Sequence, residues 1–176
     1  MTSNKQEFFR RFRWADTIAL AGEIAAARAQ LASARIARDR PAELENANRL
    51  GFHLTLADQE TEAASVLESA LILARQLADH STEVDVLGNL ALAHQYLGQR
   101  DLAQTLFREA LVRAKEYGIS EYNHYILHHQ GRCYVEQGNI AMARDCFEQA
   151  LELRKQLGDP HRIANTEAAL DALNRL

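Results

Sequence analysis

The chain has 176 residues, 47% apolar and 25% charged, with a net charge of −4, two prolines and one tryptophan. That is long enough for one hydrophobic core and ordinary for a globular domain; it excludes a disordered, collagenous or disulfide-framed chain. There is no run of 18 apolar residues and no Val/Ile/Thr alternation, so the expected chain is all-helical, with neither a membrane span nor strands.

The elements follow from an internal repeat. Shifting the chain by 40 residues lays Leu87 on Leu127, Gly98 on Gly138, Ala103 on Ala143, Phe107 on Phe147, Ala110 on Ala150, Leu111 on Leu151 and Gly118 on Gly158. In chain order the first unit, about 5–40, is degenerate. It fits only at an offset of 36, which puts Gly22 at the turn and Ala27, Leu31 and Ala34 under Ala63, Leu67 and Ala70. Its opening run Phe8-Phe9-Arg10-Arg11-Phe12-Arg13-Trp14 concentrates aromatics and arginines, and the first 40 residues carry a net +4 against −8 for the remainder. Phe8, Phe9, Phe12 and Trp14 can pack on the next helix pair or form a dimerisation or partner surface. A nucleic-acid or membrane contact ranks below both, because no basic face continues beyond this run.

The second unit, 41–80, keeps Gly51, Ala63, Leu67, Ala70 and Leu71, with Asp58 where later units have the turn glycine. Units 81–120 and 121–160 follow, and a helix over 161–176 closes the array. Its apolar side is expected to be Leu170, Leu173 and Leu176, with Arg162, Asn165, Asp171, Asn174 and Arg175 solvating the other side. Four hairpins and this cap make nine helices. Gly118 and Gly158 are expected helix stops, Asp159-Pro160 a capped helix start, and Thr82 and Ser120 weaker caps.

The pattern of a small residue, a turn glycine and then Ala-x-x-x-Phe-x-x-Ala-Leu, as in Ala91, Gly98, Ala103, Phe107, Ala110 and Leu111, resembles the tetratricopeptide repeat. The 40-residue period and Leu157-Gly158-Asp159 are similar to the longer variant of kinesin light chains and bacterial peptide sensors. The resemblance implies a right-handed α-α superhelix whose first helices line a concave, ligand-binding side, and hence a protein or peptide partner. On helical spacing the groove residues are Asn48 and Phe52, then Gln95 and Tyr96, then Tyr125, His128 and Arg132, with Asn165 from the cap. The amides suit a peptide backbone, Arg132 a carboxylate, and Phe52 or Tyr96 an apolar anchor. The family's chaperone-tail clamp needs Lys and Asn one turn apart. Asn48/Phe52, Gly88/Leu92 and His128/Arg132 stand there instead, so that clamp is missing.

Catalytic chemistry finds no support. His124 and His128 have metal-ligand spacing, but the run His124-Tyr-Ile-Leu-His128 lacks a zincin glutamate and a third ligand; no phosphate loop or nucleophile elbow occurs. Cys133 and Cys146 read as reduced thiols. The expectation is a cytoplasmic, non-enzymatic interaction module without cofactor or metal. The alternatives are a regulatory sensor of a short signalling peptide and a module self-assembling through its aromatic N-terminal helix.

Overall fold

The computed structural model describes Phe9 and residues 16–176. Among these residues there are eight helices and no strand: α1 Thr17–Ala37, α2 Arg40–Leu56, α3 Glu60–Leu77, α4 His80–Tyr96, α5 Arg100–Tyr117, α6 Asn123–Glu136, α7 Ile140–Leu157 and α8 Pro160–Leu173. Each helix packs antiparallel on its neighbour in sequence, and α2, α4 and α6 also meet side by side, which makes a tetratricopeptide-like solenoid.

The breaks between helices have a local cause repeated every 40 residues. Arg38, Ala78, Gly118 and Gly158 end α1, α3, α5 and α7 in the left-handed region (φ 56°, 52°, 70° and 68°). Asp39, Asp79 and Asp159 follow at once as N-caps, accepting from the amides of Ala42, Thr82 and Arg162. In the third unit Ile119 takes the aspartate's place. Without a side-chain cap α6 starts only at Asn123 and has 14 residues, against 17 in α2 and α4. The turns within pairs use Asp58, Gly98 and Gly138, all at positive φ (61°, 80° and 76°). Asparagine and aspartate tolerate this conformation best after glycine, which explains why Asp58 can stand there.

Packing follows the small-large pattern. Phe107 and Phe147 are fully buried, with Ala103, Ala110, Ala143 and Ala150 beneath them. Phe147 lies against Gly131, where an added Cβ would come within 2.9 Å of its ring, and Leu67 lies against Gly51 in the same way. Each such buried side chain contributes about 1.5–3 kcal/mol of transfer free energy.

Four expectations need correction. Gly22 is in the middle of α1, not at a turn; the 40-residue frame continues to the first unit, with Arg38 and Asp39 in the places of Ala78 and Asp79. Thr82 is the third residue of α4, capped by Asp79. Ser120 is not a cap: Tyr122 stands at the N-cap of α6, and the Ser120 carbonyl closes the preceding turn by accepting from the Asn123 amide. In the closing helix the buried stripe is Thr166, Ala169 and Leu173, whereas Leu176 is half exposed. A stripe at intervals of three and four continues the helical period; Leu176 lies beyond the helix end.

Candidate functional site

The first helices of successive pairs, α2, α4 and α6, bound a cavity of about 570 Å³ that reaches α7 and α8 at one end. Its floor is a chain of amides. Asn48 donates to the Asp85 carboxylate at 2.6 Å, Asn89 donates to the Asn48 side-chain oxygen at 3.0 Å, and the Tyr125 hydroxyl donates to Asn89 at 3.1 Å. Burial raises the Asp85 carboxyl above the usual carboxylate range, with Glu121 adding to the effect and the two asparagines opposing it. Phe52 meets Tyr125 edge to face, centroids 6.4 Å apart, and gives the cavity an apolar wall. Glu45, Asp85 and Glu121 bring three carboxylates to the lining, with the Arg49 guanidinium among them.

The other end is basic. Arg154 reaches from α7 and is 5% exposed. Its guanidinium donates to the Thr166 hydroxyl at 2.5 Å and to the Arg162 carbonyl at 2.9 Å, with His128 Nδ1 at 3.3 Å. The Arg162 side chain, half exposed, approaches His124 Nε2 at 3.2 Å while its Nε pairs with Asp159 at 3.2 Å. Among the described residues no carboxylate pairs with Arg154, and its Nε and His124 Nδ1 are buried without a hydrogen-bond partner. Burial, then the Arg162 charge, brings the Arg154 guanidinium down to about 10. Burial followed by Arg154 and Arg162 depresses His124 to about 4. His128 and His129 also stand well below the ordinary value, desolvation being the main cause.

Of the residues expected in the groove, Asn48, Phe52 and Tyr125 line this cavity together. Gln95 instead is buried and donates to Glu136 at 2.8 Å. His128 and Arg132 are buried too, Arg132 donating to the main-chain oxygen of Phe9 at 3.2 Å. Tyr96 is half-buried outside the cavity lining, and Asn165 is exposed on α8 beside His161. Phe9 is 0% exposed and packs on Phe147 with Val135, Ala169 and Leu173, so it is core rather than a free surface. Phe8, Phe12 and Trp14 lie outside the described residues. Among the described residues no group of three or more His, Cys, Asp or Glu is placed to hold a metal, and no helix is long and apolar enough to cross a membrane.

Sequence reasoning missed Arg154, although the repeat carried the signal. In the 40-residue frame Arg154 stands where Ala34, Ala74 and Ala114 are buried, and His124 where Leu44 and Val84 are buried. Attention confined to first helices overlooks a second-helix side chain long enough to reach the concave side.

Comparison with known proteins agrees with this architecture. Residues 84–117 and 124–157 each match the tetratricopeptide repeat family. These two units thus carry the tetratricopeptide repeat, a motif that serves protein interaction in general. The crystal structure of BtubC (BKLC) from P. vanneervenii superposes with a TM-score of 0.74 at 24% identity, over 90% of this chain and 66% of that one. The chain thus spans about 66% of the length of that relative. Two crystal structures of putative kinesin light chain nearly identical TPR-like repeats from Podosopora anserina share the fold. One, a point variant, has a TM-score of 0.59 at 17% identity, covering 89% of this chain and 87% of its own. The other has 0.55 at 15%, covering 92% and 96%. No curated protein matches the sequence.

Proposed function

We propose that the chain is a non-enzymatic, cytoplasmic adaptor that binds a peptide or partner helix in the cavity bounded by α2, α4 and α6. The observation that carries this reading is the cavity of about 570 Å³ on the first-helix side, with an apolar wall of Phe52 and Tyr125 beside a hydrogen-bonded floor of Asn48, Asp85 and Asn89. An apolar anchor flanked by fixed polar groups is the usual make-up of a pocket that holds one side chain of a segment and orients its backbone. The floor amides already bond one another, so recognition falls to their remaining lone pairs and to the charged rim.

The test is a selection of random heptapeptides displayed against the immobilised protein, followed by fluorescence anisotropy with the selected peptides. Phe52 is half-buried, so Phe52→Arg fills the cavity mouth without emptying the core. Affinity should fall at least tenfold while the melting temperature stays within a few degrees. Selected peptides indifferent to Phe52→Arg, or no selection of any peptide, would remove the groove reading.

A further inference from the structure

The polarity of α1 is inverted against the rest of the repeat. In the 40-residue frame α1 carries Glu23 and Gln30, both exposed, where α3, α5 and α7 carry buried alanines, Ala63, Ala103 and Ala143 at the first position and Ala70, Ala110 and Ala150 at the second. Its outer face is the reverse. Opposite the buried stripe of Leu20, Ile24, Ala27, Leu31 and Ala34 stand Ile18, Gly22, Ala25, Ala29, Ala32 and Ile36, all exposed, the two isoleucines at 86%. The later second helices are largely polar at those places, with Glu62 and Ser69 in α3, Thr105 and Glu116 in α5, and Asp145 and Glu152 in α7; single apolar residues such as Ile72 and Val112 stand among them. A helix apolar on two opposite faces is ordinarily covered on both, and the end helix of a repeat array ordinarily shows a polar outer face. Among the described residues nothing covers the outer face of α1.

We propose that this face is a self-association surface, on which a second copy of the chain lays its own α1 antiparallel. From Ile18 to Ile36 the apolar residues follow one another at intervals of 4, 3, 4, 3 and 4, the seam of a two-stranded coiled coil. The seam reads alike from either end, with isoleucine at each terminus and glycine or alanine between. A two-fold mate therefore sets Ile18 beside Ile36 of the second copy and Ala25 beside its Ala29, and the small central residues let the helices approach closely. Antiparallel pairing also brings Asp16, at the start of one helix, to Arg38 at the end of the other, and sets the two helix dipoles head to tail. The cations on the rim are neutralised within each copy, since Arg28 pairs with Glu62 at 2.5 Å and Arg35 with Glu43 at 3.1 Å, so they do not hold two copies apart. A footprint about 30 Å long and about 10 Å wide is at the lower end of specific interfaces, which makes the dimer weak, with a Kd on the order of 10–100 µM. No residue of α1 lines the cavity, so self-association and groove binding can be lost separately.

Sedimentation equilibrium of the full chain from about 1 to about 500 µM brackets that affinity, and the mass should rise from monomer to dimer across it. Ala25→Glu/Ala29→Glu should stay monomeric throughout. Both sites are exposed and glutamate favours helix, so unchanged helical circular dichroism and melting temperature will show that the variant has lost only its partner. Cysteine pairs read the direction. Ile18→Cys mixed with Ile36→Cys should give a disulfide-linked dimer on mild oxidation. Ile18→Cys alone should not, because antiparallel seating leaves its two copies about 27 Å apart, far beyond disulfide reach. The native Cys133 and Cys146 are buried and add little background. A wild type monomeric at every concentration, association unchanged in Ala25→Glu/Ala29→Glu, or cross-linking of Ile18→Cys with itself would each overturn the proposal.

Discussion

Arg132 in α6 donates from Nε to the main-chain oxygen of Phe9, at 3.2 Å across 123 residues of sequence. The Phe9 ring lies 6.1 Å from that of Phe147 and shares a cluster with Val135, Ala169 and Leu173. A residue from the chain's beginning thus completes the core of its last helices. Removing that ring should cost about 3–5 kcal/mol, as for other buried phenylalanines. Urea unfolding of Phe9→Ala, followed by helical circular dichroism, measures it. A loss below about 1 kcal/mol would show that Phe9 does not pack there. Arg132→Ala should also destabilise, since it removes a buried side chain that holds the Phe9 carbonyl.

Among the glycines inside helices, Gly51, Gly88 and Gly131 face close neighbours and Gly22 does not. At Gly131 an added Cβ would lie 2.9 Å from Phe147 Cε1 and 3.0 Å from Cδ1, so Gly131→Ala should destabilise by about 1–3 kcal/mol. Gly22 is exposed in the middle of α1 with nothing within 4 Å of its added Cβ. Gly22→Ala should therefore stabilise by about 0.5–1 kcal/mol, the helix-propensity difference. Thermal melts of the two variants should move in opposite directions. A fall for Gly22→Ala would mean that α1 is not helical through that point.

The same contrast explains which features were legible in sequence. Turn positions, helix stops and the alanine-aromatic packing are dictated by backbone conformation and close approach, and only a few residue types satisfy them. Hence Gly98, Phe107, Gly138 and Gly158 announce themselves, and so does Asp58. Gly22 misled because its conformation is ordinary, and a glycine without a backbone reason mimics one that has it. The groove was legible only in part. Helical spacing names a face of α2, α4 or α6, but α8 and Phe9 cover the face at His128 and Arg132, and Glu136 draws Gln95 inward. These contacts depend on long-range folding that no local pattern encodes.

Cys133 and Cys146 should be inert in the folded protein. Both are buried, and burial pushes the Cys133 thiol up to about 12 and the Cys146 thiol up to about 11. The thiolate is the reactive form, so neither is available near neutral pH. Ellman's reagent should titrate no thiol in the native protein and two after denaturation. Rapid native reaction of either would show that α6 and α7 open locally.

Acid should weaken the fold through its histidines before its carboxylates. His124 is held near 4 by burial and by Arg154 and Arg162, and His53, His128 and His129 are depressed as well, desolvation leading each time. The unfolded chain takes up these protons at about 6.5. Between that value and the folded one the unfolded state binds more protons, so stability is complete above about 6.5 and is lost as pH falls towards 4. Each such histidine contributes at most about 1.4 kcal/mol per pH unit in this window, less where water screens it. Asp85, raised by burial, acts in the opposite sense and softens the fall. The melting temperature should therefore decline steadily from about pH 7 to about pH 4.5 at constant ionic strength, by roughly 2–4 °C for each kcal/mol lost. His124→Val, the residue the frame carries at Val84, should flatten the decline without abolishing it, because His128 and His129 remain. A melting temperature constant over this range would mean that these imidazoles are solvated, and would take the buried basic corner with it.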